Sequence, residues 1–263
     1  MRRVLTIAGS DSGGGAGIQA DLKTIAAHGL YGTCAITAVT AQNTIGVTMF
    51  EALPADLVTA QIEAVMSDIG ADAAKTGMLA NAAIVEAVCA AVQDLEIPLL
   101  VVDPVMISKS GAKLLDDEAV GAVKAELLER AFVVTPNVPE AEALTGLTIT
   151  DVHGQREAAR AIHALGARHV IVKGGHVESS RIVDVLFDGD AFTEFEGERV
   201  PGRHTHGTGC TYAAALACHL AAGRSLARAI PSAQKYLAGA IRAGIDVGRG
   251  HGPMNHFWEK TSG

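Results

Sequence analysis

Short runs of β-branched and other apolar residues alternate along this chain with longer alanine-rich segments of helical periodicity. This alternation constrains the fold more than any other feature, because it is typical of βαβ units around a largely parallel sheet. Residues 4–8 are predicted to form the first strand, and residues 16–27 a helix that Gly29 closes. Further strands are predicted at residues 99–102, 132–135 and 169–172. Each is a nearly continuous apolar run, as expected where both faces of a strand are buried.

Two more strand-like pieces, residues 34–39 and 47–52, flank the segment Gln42-Asn43-Thr44-Ile45-Gly46. This pattern indicates a hairpin or a small flap between residues 32 and 53. The sequence shows no internal repeat and no low-complexity linker, and 263 residues suffice for one large α/β core. We therefore expect a single domain over residues 1–263.

Composition and charge exclude several classes of protein. Hydrophobic residues make up 49% and charged residues 19%, so the chain can bury enough apolar surface to fold. The net charge of -8 and the lack of Lys and Arg clusters with interleaved aromatic residues argue against nucleic acid as a partner. No apolar stretch approaches the roughly 18 to 20 residues of a membrane helix, so we expect a cytoplasmic protein.

The cysteines and histidines do not suggest a metal centre or a disulfide framework. Four cysteines, Cys34, Cys89, Cys210 and Cys218, show no CxxC pairing and no spacing typical of metal ligands. The ten histidines lack an HExxH pattern. Chemistry is instead expected where the predicted parallel strands end, at Asp103, Asn137 and Lys173, because ligands of open α/β sheets gather at the carboxyl ends of the strands.

A glycine-rich segment from Gly9 to Gly17 follows the first strand and opens the first helix. Its backbone N–H groups could approach a ligand closely, although the glycines could equally serve only a tight turn. Residues 15–20 match the dinucleotide pattern GxGxxA, but the acidic residue expected about 20 positions later is missing, which argues against a Rossmann oxidoreductase. No GxxxxGK[ST] P-loop occurs in the sequence.

The segment His206-Gly207-Thr208-Gly209-Cys210-Thr211 is a better candidate for a phosphate cradle. It precedes an alanine-rich helix predicted at residues 212–222, and a helix start favours anionic ligands. We expect the same helix start to acidify the Cys210 thiol, which could then hydrogen-bond or deprotonate a substrate hydroxyl. A common turn followed by an inert, buried cysteine is the alternative, and Cys218 is expected to be a packing residue.

These motifs together resemble those of the hydroxymethylpyrimidine/phosphomethylpyrimidine kinase family of thiamine biosynthesis. The resemblance covers nearly the whole chain and rests on the order and combination of the motifs. They are Gly9-Ser10-Asp11, Gly17-Ile18-Gln19-Ala20-Asp21-Leu22-Lys23-Thr24, Ala41-Gln42-Asn43-Thr44, Lys75-Thr76-Gly77-Met78-Leu79, Asp103-Pro104-Val105-Met106, Thr135-Pro136-Asn137-Val138-Pro139-Glu140, Lys173-Gly174-Gly175-His176, His206-Gly207-Thr208-Gly209-Cys210 and Gly250-His251-Gly252-Pro253.

The resemblance implies a ribokinase-like fold with three α/β/α layers and a mostly parallel central sheet. It also implies two successive reactions: ATP phosphorylates 4-amino-5-hydroxymethyl-2-methylpyrimidine, and then phosphorylates the resulting monophosphate to the diphosphate. Mg²⁺ is expected to accompany the nucleotide. A small aminopyrimidine is the expected partner, and the family suggests a homodimer.

Catalytic and ATP-binding roles are carried over by the same resemblance. Cys210 stands where related sugar kinases place an aspartate base, so it is a catalytic candidate that orients or deprotonates the hydroxyl. Lys173 would neutralise charge that develops on the migrating phosphoryl group, a large contribution in phosphoryl transfer. Asp21 matches a family position near the phosphate end of the substrate. The residues expected to bind ATP are Gly207, Thr208, Gly209 and Lys173.

Asn137 and Glu140 resemble the NxxE motif of this superfamily, whose carboxylate helps to hold Mg²⁺, and Asp103 is similar in position to an acidic residue near the metal. Such hard oxygen ligands suit Mg²⁺. Asn137 and Glu140 could instead only begin a helix, with Pro139 in its first turn. Asp103 could be a simple turn residue before Pro104.

For the substrate, Gln42 matches the residue with which the family reads the pyrimidine, since one amide offers both a donor and an acceptor. Met78 and Val105 would pack on the ring, while Gly9 and Ala16 would leave it space. Lys235 matches a family position expected to receive the monophosphate in the second reaction. A solvated lysine on a helix surface is the alternative for Lys235.

Three other functions compete with this interpretation. A pyridoxal kinase of the same superfamily is the nearest, but Gln42 would lose part of its pairing against pyridoxal, at a cost of about 1 to 3 kcal/mol for an unpaired polar group. A nucleotide-binding regulator without turnover is opposed by the intact set of Asn137, Glu140, Lys173 and Cys210. The third, a Rossmann oxidoreductase, is opposed by the missing acidic residue.

Overall fold

A computed structural model describes residues 1–107, 111, 114–175 and 181–261 of the protein. The helices and strands follow one another as β1 (Arg3–Asp11), α1 (Gly17–Ala27), β2 (Tyr31–Gln42), β3 (Val47–Ala52), α2 (Ala55–Asp68), β4 (Ala73–Thr76), α3 (Ala82–Asp94), β5 (Leu100–Val102), α4 (Asp117–Ala122), a π-helical stretch (Val123–Leu127), α5 (Leu128–Arg130), β6 (Val133–Val134), α6 (Val138–Thr145), α7 (Val152–His163), β7 (Val170–Val172), β8 (Arg181–Phe187), β9 (Phe192–Glu198), α8 (Thr208–Ala221), α9 (Leu226–Arg242) and α10 (Trp258–Thr261).

These strands form one nine-stranded sheet in the order β3-β2-β1-β4-β5-β6-β7-β8-β9. The six central strands, which are β2, β1, β4, β5, β6 and β7 in their order across the sheet, are mutually parallel. β3 is antiparallel at one edge, and β8 and β9 form an antiparallel hairpin at the other. The carboxyl ends of the parallel strands therefore meet at one edge of the sheet, where the predicted site residues should converge.

Helices cover both faces of the sheet. One apolar core joins the sheet to α2, α3, α6 and α7, and the other joins it to α1, α8 and α9. Because successive strand residues point to opposite faces, Leu100 and Val102 of β5 enter the first core and Val101 the second. This arrangement gives the three α/β/α layers that the family resemblance implied.

The structure confirms the predicted strands and corrects their lengths. β1 and β2 extend beyond their predicted ends, whereas β6 keeps only Val133 and Val134 as ladder residues. The predicted flap is the β2–β3 hairpin, whose turn is closed by Asn43: its Oδ1 accepts hydrogen bonds from the N–H groups of Ile45 at 2.8 Å and Gly46 at 3.3 Å. β4 and the β8–β9 hairpin were not among the predicted strands.

The four cysteines are free, with Cys89 and Cys218 buried and Cys34 and Cys210 half-buried. Across the described segments, we find no helix with the length and apolar character needed to traverse a bilayer.

Candidate active site

A cleft of about 410 Å³ opens at the carboxyl ends of the central strands. Residues from β1, β2, the loops after β5 to β7 and the start of α8 line it. The structure thus brings together thirteen of the fifteen residues predicted from sequence: Gly9, Ala16, Gln42, Met78, Asp103, Val105, Asn137, Glu140, Lys173, Gly207, Thr208, Gly209 and Cys210. Asp21 and Lys235 are not among its lining residues.

The start of α8 faces this cleft. Gly207 is its N-cap, with the left-handed backbone angles φ 79° and ψ 18°, and the first bond inside the helix joins the Thr211 N–H to the Gly207 carbonyl at 2.9 Å. The N–H groups of Thr208, Gly209 and Cys210 precede that bond and have no acceptor within the helix. With the positive end of the helix dipole, they form an environment suited to an anion.

An ion pair lies against this helix start. Lys173 Nζ donates to Asp103 Oδ1 at 3.1 Å, and a Cβ placed on Gly209 would lie 3.5 Å from Asp103 Oδ2 and 3.6 Å from Lys173 Nζ. Burial disfavours the charged form of Lys173, but Asp103 and Glu140 outweigh that effect and raise its pKa. A cation is therefore held beside the N–H groups of α8.

Asn137 and Glu140 form a capping box at the start of α6. The Glu140 N–H donates to Asn137 Oδ1 at 2.9 Å, and Glu140 Oε2 accepts from the Asn137 N–H at 2.8 Å. The helix-cap alternative for these two residues is therefore observed, but both side chains also line the cleft. Burial raises the pKa of Glu140 to about 7; Lys173 lowers it and Asp103 raises it.

The acidic side chains of the cleft fit a magnesium–nucleotide complex. Asp103 is 2% exposed, and its buried Oδ2 has no hydrogen-bond partner among the described residues. No group of three or more His, Cys, Asp or Glu side chains suited to a metal occurs in the described part of the chain. Mg²⁺ commonly keeps several waters and binds through one or two carboxylates plus substrate phosphates, so Asp103 and Glu140 match its needs when a nucleotide is present.

The expectation that Cys210 is an acidified thiol is wrong. Burial raises the pKa of the Cys210 thiol to about 11, and the nearby carboxylates of Asp21 and Asp103 add to that effect. Lys75 acts in the opposite direction but does not compensate. Burial therefore dominates at this position, and Cys210 is a neutral thiol at neutral pH.

Asp21 does not line the cleft, although the family resemblance implies a position near the phosphate end of the substrate. Its side chain is fully buried, accepts a hydrogen bond from Thr6 Oγ1 at 2.6 Å, and lies 3.0 Å from Lys75 Nζ. Burial disfavours the charge of Lys75, but Asp21 outweighs this and raises the Lys75 pKa. Asp21 is thus half of a buried ion pair close to Cys210, and it does not contact the space available to a substrate phosphate.

Lys235 is also outside the cleft. It lies on the exposed side of α9, while the adjacent Gln234 points inward and lines a second cavity. The side chains of successive helical residues point in directions about 100° apart, so the two neighbours face different surroundings. The alternative of a solvated surface lysine therefore describes Lys235.

The glycine-rich loop turns its N–H groups inward. Asp11 accepts hydrogen bonds from the N–H groups of Gly13 at 2.7 Å, Gly15 at 3.0 Å and Ala16 at 2.8 Å. His206 Nε2 lies 2.8 Å from Asp11 Oδ2. Burial by itself would raise the pKa of Asp11, but these bonds outweigh it and lower the pKa. The loop is held by its own carboxylate, so these N–H groups are not available to a phosphate.

The two glycine motifs pack directly on each other. A Cβ on Gly15 would overlap the His206 ring, and a Cβ on Gly207 would overlap the Gly15 carbonyl. Gln42, at the end of β2, lies beside them: Gln42 Nε2 is 3.3 Å from His206 Nε2, and Gln42 Oε1 is 3.1 Å from Thr40 Oγ1. Gln42, the residue predicted to bind the pyrimidine ring, and the start of α8 are therefore on the same side of the molecule.

A second cavity of about 280 Å³ continues from the cleft. It extends between the β8–β9 hairpin and α9, and it shares five lining residues with the first cavity: Asn137, Lys173, Thr205, Thr208 and Gly209. Its inner wall includes Tyr212, Gln234 and Asp184, where Asp184 Oδ2 accepts from Gln234 Nε2 at 2.9 Å. The two cavities therefore border each other at the start of α8.

Sequence reasoning missed several of these residues. Lys75 and His206 each begin a motif named in the sequence analysis. A lysine within an apolar segment and a histidine just before a glycine turn are features of the sequence that could have identified them. No local signal marks Asp184, Gln234 or Tyr212 as neighbours of one cavity. His176, part of the Lys173 motif, lies outside the described residues.

Comparisons with known proteins give a consistent result. The family model described as phosphomethylpyrimidine kinase matches residues 11–255. The chain is 48% identical to the hydroxymethylpyrimidine/phosphomethylpyrimidine kinase of Bacillus subtilis, covering 97% of this chain and 94% of that protein. It is 52% identical to the thiamine biosynthesis bifunctional protein ThiED of Geobacter sulfurreducens, covering 97% of this chain but 52% of that protein, so it spans about half the length of this relative.

The fold is similar to that of an enzyme with a different named substrate. The structure of Bacillus subtilis pyridoxal kinase in complex with ADP superimposes with a TM-score of 0.92 at 37% sequence identity, over 100% of both chains.

Proposed function

Because the chain belongs to the phosphomethylpyrimidine kinase family, we propose that it transfers the γ-phosphoryl group of ATP to 4-amino-5-hydroxymethyl-2-methylpyrimidine, and then phosphorylates the monophosphate to the diphosphate. One observation carries this proposal: Gln42 and the start of α8 line the same cleft. A ring reader and a phosphate cradle must share one cavity for this reaction. Had they lain on opposite sides of the molecule, the reaction would have been excluded.

The pyrimidine half of the cleft has the expected chemistry. The Gln42 amide offers a donor and an acceptor, which match the ring nitrogen and the amino group of an aminopyrimidine. Met78 and Val105 supply apolar surface for the ring. Gly9 leaves room because a Cβ at this position would lie 3.1 Å from Met78 Sδ, and Ala16 adds only a methyl group.

The part of the cleft at the start of α8 is suited to stabilise the negative charge of the phosphates. The hydroxymethyl oxygen forms a bond to the γ-phosphorus, the bond from that phosphorus to the β–γ bridging oxygen breaks so that ADP leaves, and the hydroxyl proton is released to water. Lys173 and the N–H groups of Thr208 and Gly209 would stabilise the charge on the transferring group. Asp103 and Glu140 would hold Mg²⁺, with Asn137 positioning Glu140, and the ion when bound neutralises phosphate charge.

The role proposed for Cys210 is orientation of the substrate hydroxyl. A neutral thiol with a pKa of about 11 accepts a proton poorly at neutral pH. In a loose phosphoryl-transfer transition state the attacking oxygen keeps much of its proton until late, so a strong base is not essential. Cys210 therefore contributes a hydrogen bond and close packing at the reacting end of the cleft.

Pyridoxal kinase is the second candidate function. The superposition on the Bacillus subtilis pyridoxal kinase favours it. Gln42 argues against it as the main activity, because the amide would be incompletely paired against a pyridoxal ring, at a cost of about 1 to 3 kcal/mol.

ATP consumption measured with each acceptor, followed by mass spectrometry of the products, tests the proposal. We expect mono- and diphosphate products from the aminopyrimidine and a lower kcat/KM with pyridoxal. Higher kcat/KM with pyridoxal would support the second candidate, and no phosphorylated product from either acceptor would refute both.

We further propose a homodimer, a single kinase domain over residues 1–263 and a cytoplasmic location. The β2–β3 hairpin exposes Val39 of β2, Ile45 of the turn, and Met49 and Phe50 of the edge strand β3, whose exposed fractions are 48%, 66%, 69% and 38%. Such a patch on an edge strand is suited to a second copy of the chain. Light scattering after size exclusion would give twice 27.0 kDa for a dimer, and Met49→Glu should shift it toward the monomer.

A further inference from the structure

The hydrogen bonds around Gln42 cannot all form with the side-chain amide in the orientation described above. Thr40 Oγ1 lies 3.0 Å from the Ser10 carbonyl oxygen and 3.1 Å from Gln42 Oε1, yet a hydroxyl has one hydrogen to donate. His206 Nε2 lies 2.8 Å from Asp11 Oδ2 and 3.3 Å from Gln42 Nε2, yet one ring nitrogen cannot both donate to the carboxylate and accept from the amide.

One change removes the contact between two donors at His206 and the second demand on the Thr40 hydrogen. Asp11 Oδ2 already accepts the N–H groups of Gly15 and Ala16, so the contact at 2.8 Å requires a hydrogen on His206 Nε2. The Ser10 carbonyl can only accept, so it takes the Thr40 hydrogen. Rotating the Gln42 amide by a half-turn then presents its nitrogen to the Thr40 oxygen and its oxygen to the His206 N–H. The one hydrogen of His206 Nε2 is shared in a three-centre bond between Asp11 Oδ2 at 2.8 Å and the Gln42 amide at 3.3 Å. Amide orientation is properly assigned from such a network.

We propose that His206 is a positioning residue for substrate specificity: its Nε2–H group, held by Asp11, fixes the Gln42 amide with Oε1 toward the imidazole. The amide nitrogen then donates one hydrogen to Thr40 Oγ1. One lone pair of Oε1 and one hydrogen of Nε2 remain for a ligand in the cleft. The inference rests on the proposed use of Gln42 to read the pyrimidine.

The backbone around His206 and Gln42 is held by one segment, which the sequence had singled out as the Gly250-His251-Gly252-Pro253 motif. The His206 N–H donates to the Gly252 carbonyl at 3.3 Å. The His251 N–H donates to the carbonyl of Thr44, two residues after Gln42, at 2.9 Å. A Cβ on Gly250 would overlap the Thr44 carbonyl, so this approach requires glycine. The motif therefore keeps the histidine and the flap at a constant separation.

A fixed amide dictates how the ring lies. The 4-amino group must face Oε1, on the His206 side, and the ring nitrogen N3 must face Nε2. The hydroxymethyl group is attached to C5, next to C4, so it points toward the same side as His206. His206 leads directly into Gly207 and the start of α8, where phosphoryl transfer is proposed. The reversed amide would direct the hydroxymethyl group away from α8.

The 4-oxo analogue of the substrate, which replaces the amino group by oxygen and carries a hydrogen on N3, tests this inference. It presents the reversed donor and acceptor pattern, so a fixed Gln42 rejects it. We expect His206→Met to release the amide and to lower the ratio of kcat/KM for the 4-amino over the 4-oxo compound by about tenfold or more. His206→Gln restores an N–H donor near the Nε2 position, and its ratio should stay within about threefold of the wild-type value.

The KM for ATP and the melting temperature serve as controls. The inference would be overturned if His206→Met left the ratio of kcat/KM for the two compounds unchanged, or if His206→Gln lowered this ratio as much as His206→Met does. Because His206→Met removes a partner of Asp11 and could disturb the loop, a second measurement uses the wild-type protein. Long-range ¹H–¹⁵N correlation spectra of the histidine rings, without ligand, should show that His206 Nε2 carries a hydrogen. A ring with a bare Nε2 would overturn the inference whether or not the enzyme turns over.

Failure of the proposed function has a different signature. Wild-type protein that does not phosphorylate the 4-amino compound would contradict the proposed reaction, while the spectra would still report the hydrogen on His206. Normal turnover combined with a bare Nε2 would contradict only the role of His206.

Discussion

Lys75 Nζ lies 3.0 Å from Asp21 Oδ2, and neither side chain is exposed to solvent. The pair joins β4 to α1 close to Cys210, whose thiol interacts electrostatically with both residues. Breaking a buried ion pair leaves one charge without compensation, whereas removing both charges avoids that cost.

Asp21→Asn and Lys75→Met should each lower the free energy of unfolding by about 3 to 5 kcal/mol, and the double variant by less than their sum. Urea denaturation followed by circular dichroism measures this. Glu196→Gln, which breaks the exposed pair with Arg181 in the β8–β9 hairpin, is the control and should cost at most about 1 kcal/mol. A buried pair that is no more sensitive than the exposed pair would contradict this prediction.

Glu140 should make stability depend on pH. Its folded-state pKa of about 7 exceeds the ordinary value of 4.5, so the folded protein binds this proton more tightly. The associated stability is present below pH 4.5 and is lost as the pH rises through 7. Glu140→Gln should therefore be more stable than wild type above pH 7, by on the order of 1 to 3 kcal/mol, and less active. Thermal melts of both proteins at pH 5, 7 and 8.5 measure this. A difference in stability between Glu140→Gln and wild type that is the same at all three pH values would contradict the prediction. Glu86→Gln on the exposed side of α3 is the control.

Lys173→Met should reduce kcat by about 100- to 1000-fold and change the KM for ATP by less than tenfold. The reason is that Lys173, held 3.1 Å from Asp103 beside the start of α8, stabilises charge that grows during transfer. Lys235→Met removes an exposed lysine of α9 and should leave both phosphorylations unchanged. A selective loss of the second phosphorylation in Lys235→Met would restore the role that the family resemblance implied for this residue.

Cys210→Ala should lower kcat of the first phosphorylation by about tenfold, and Cys210→Ser should retain most of the activity. A thiol with a pKa of about 11 is neutral at working pH, so the pH–rate profiles of wild type and Cys210→Ser should coincide between pH 6 and 9. Cys34→Ala, in β2 and outside the residues that line the cleft, controls for the loss of a thiol. An activity rise near pH 8.5 that disappears in Cys210→Ser would indicate a thiolate base.

Gln42→Met should raise the KM for the aminopyrimidine by about tenfold or more, because the ring edge loses both hydrogen bonds. The KM for ATP should stay within about threefold, since the nucleotide is proposed to occupy the part of the cleft over α8. Steady-state kinetics with each substrate varied in turn measures both constants. Unchanged aminopyrimidine kinetics would remove Gln42 as the ring reader.

Local patterns in the sequence predicted much of the fold and part of the cleft, and the family resemblance added Gln42, Met78 and Val105. Nearly continuous apolar runs predicted the parallel strands β1, β5, β6 and β7, and period-3.6 patterns predicted α1 and α8, which pack on the same face of the sheet. Asp103, Asn137 and Lys173 were then located correctly at the site, because the carboxyl ends of parallel strands meet at one edge of a sheet. Gly207 to Cys210 were located by the same kind of local rule, a glycine turn before a helix.

Only the tertiary structure decided what surrounds each of these groups. The pairing of Asp21 with Lys75 and of Asp11 with His206 spans 54 and 195 positions of the chain, and the cavity beside Gln234 needs α9 to meet a hairpin that lies elsewhere in the sequence. The Cys210 pKa illustrates the physical reason. A helix start is a local feature and predicts a lowered pKa, whereas burial and the carboxylates of Asp21 and Asp103 depend on distant segments and raise it. Desolvation and electrostatic interactions depend on distance in space, which periodicity in the sequence does not specify.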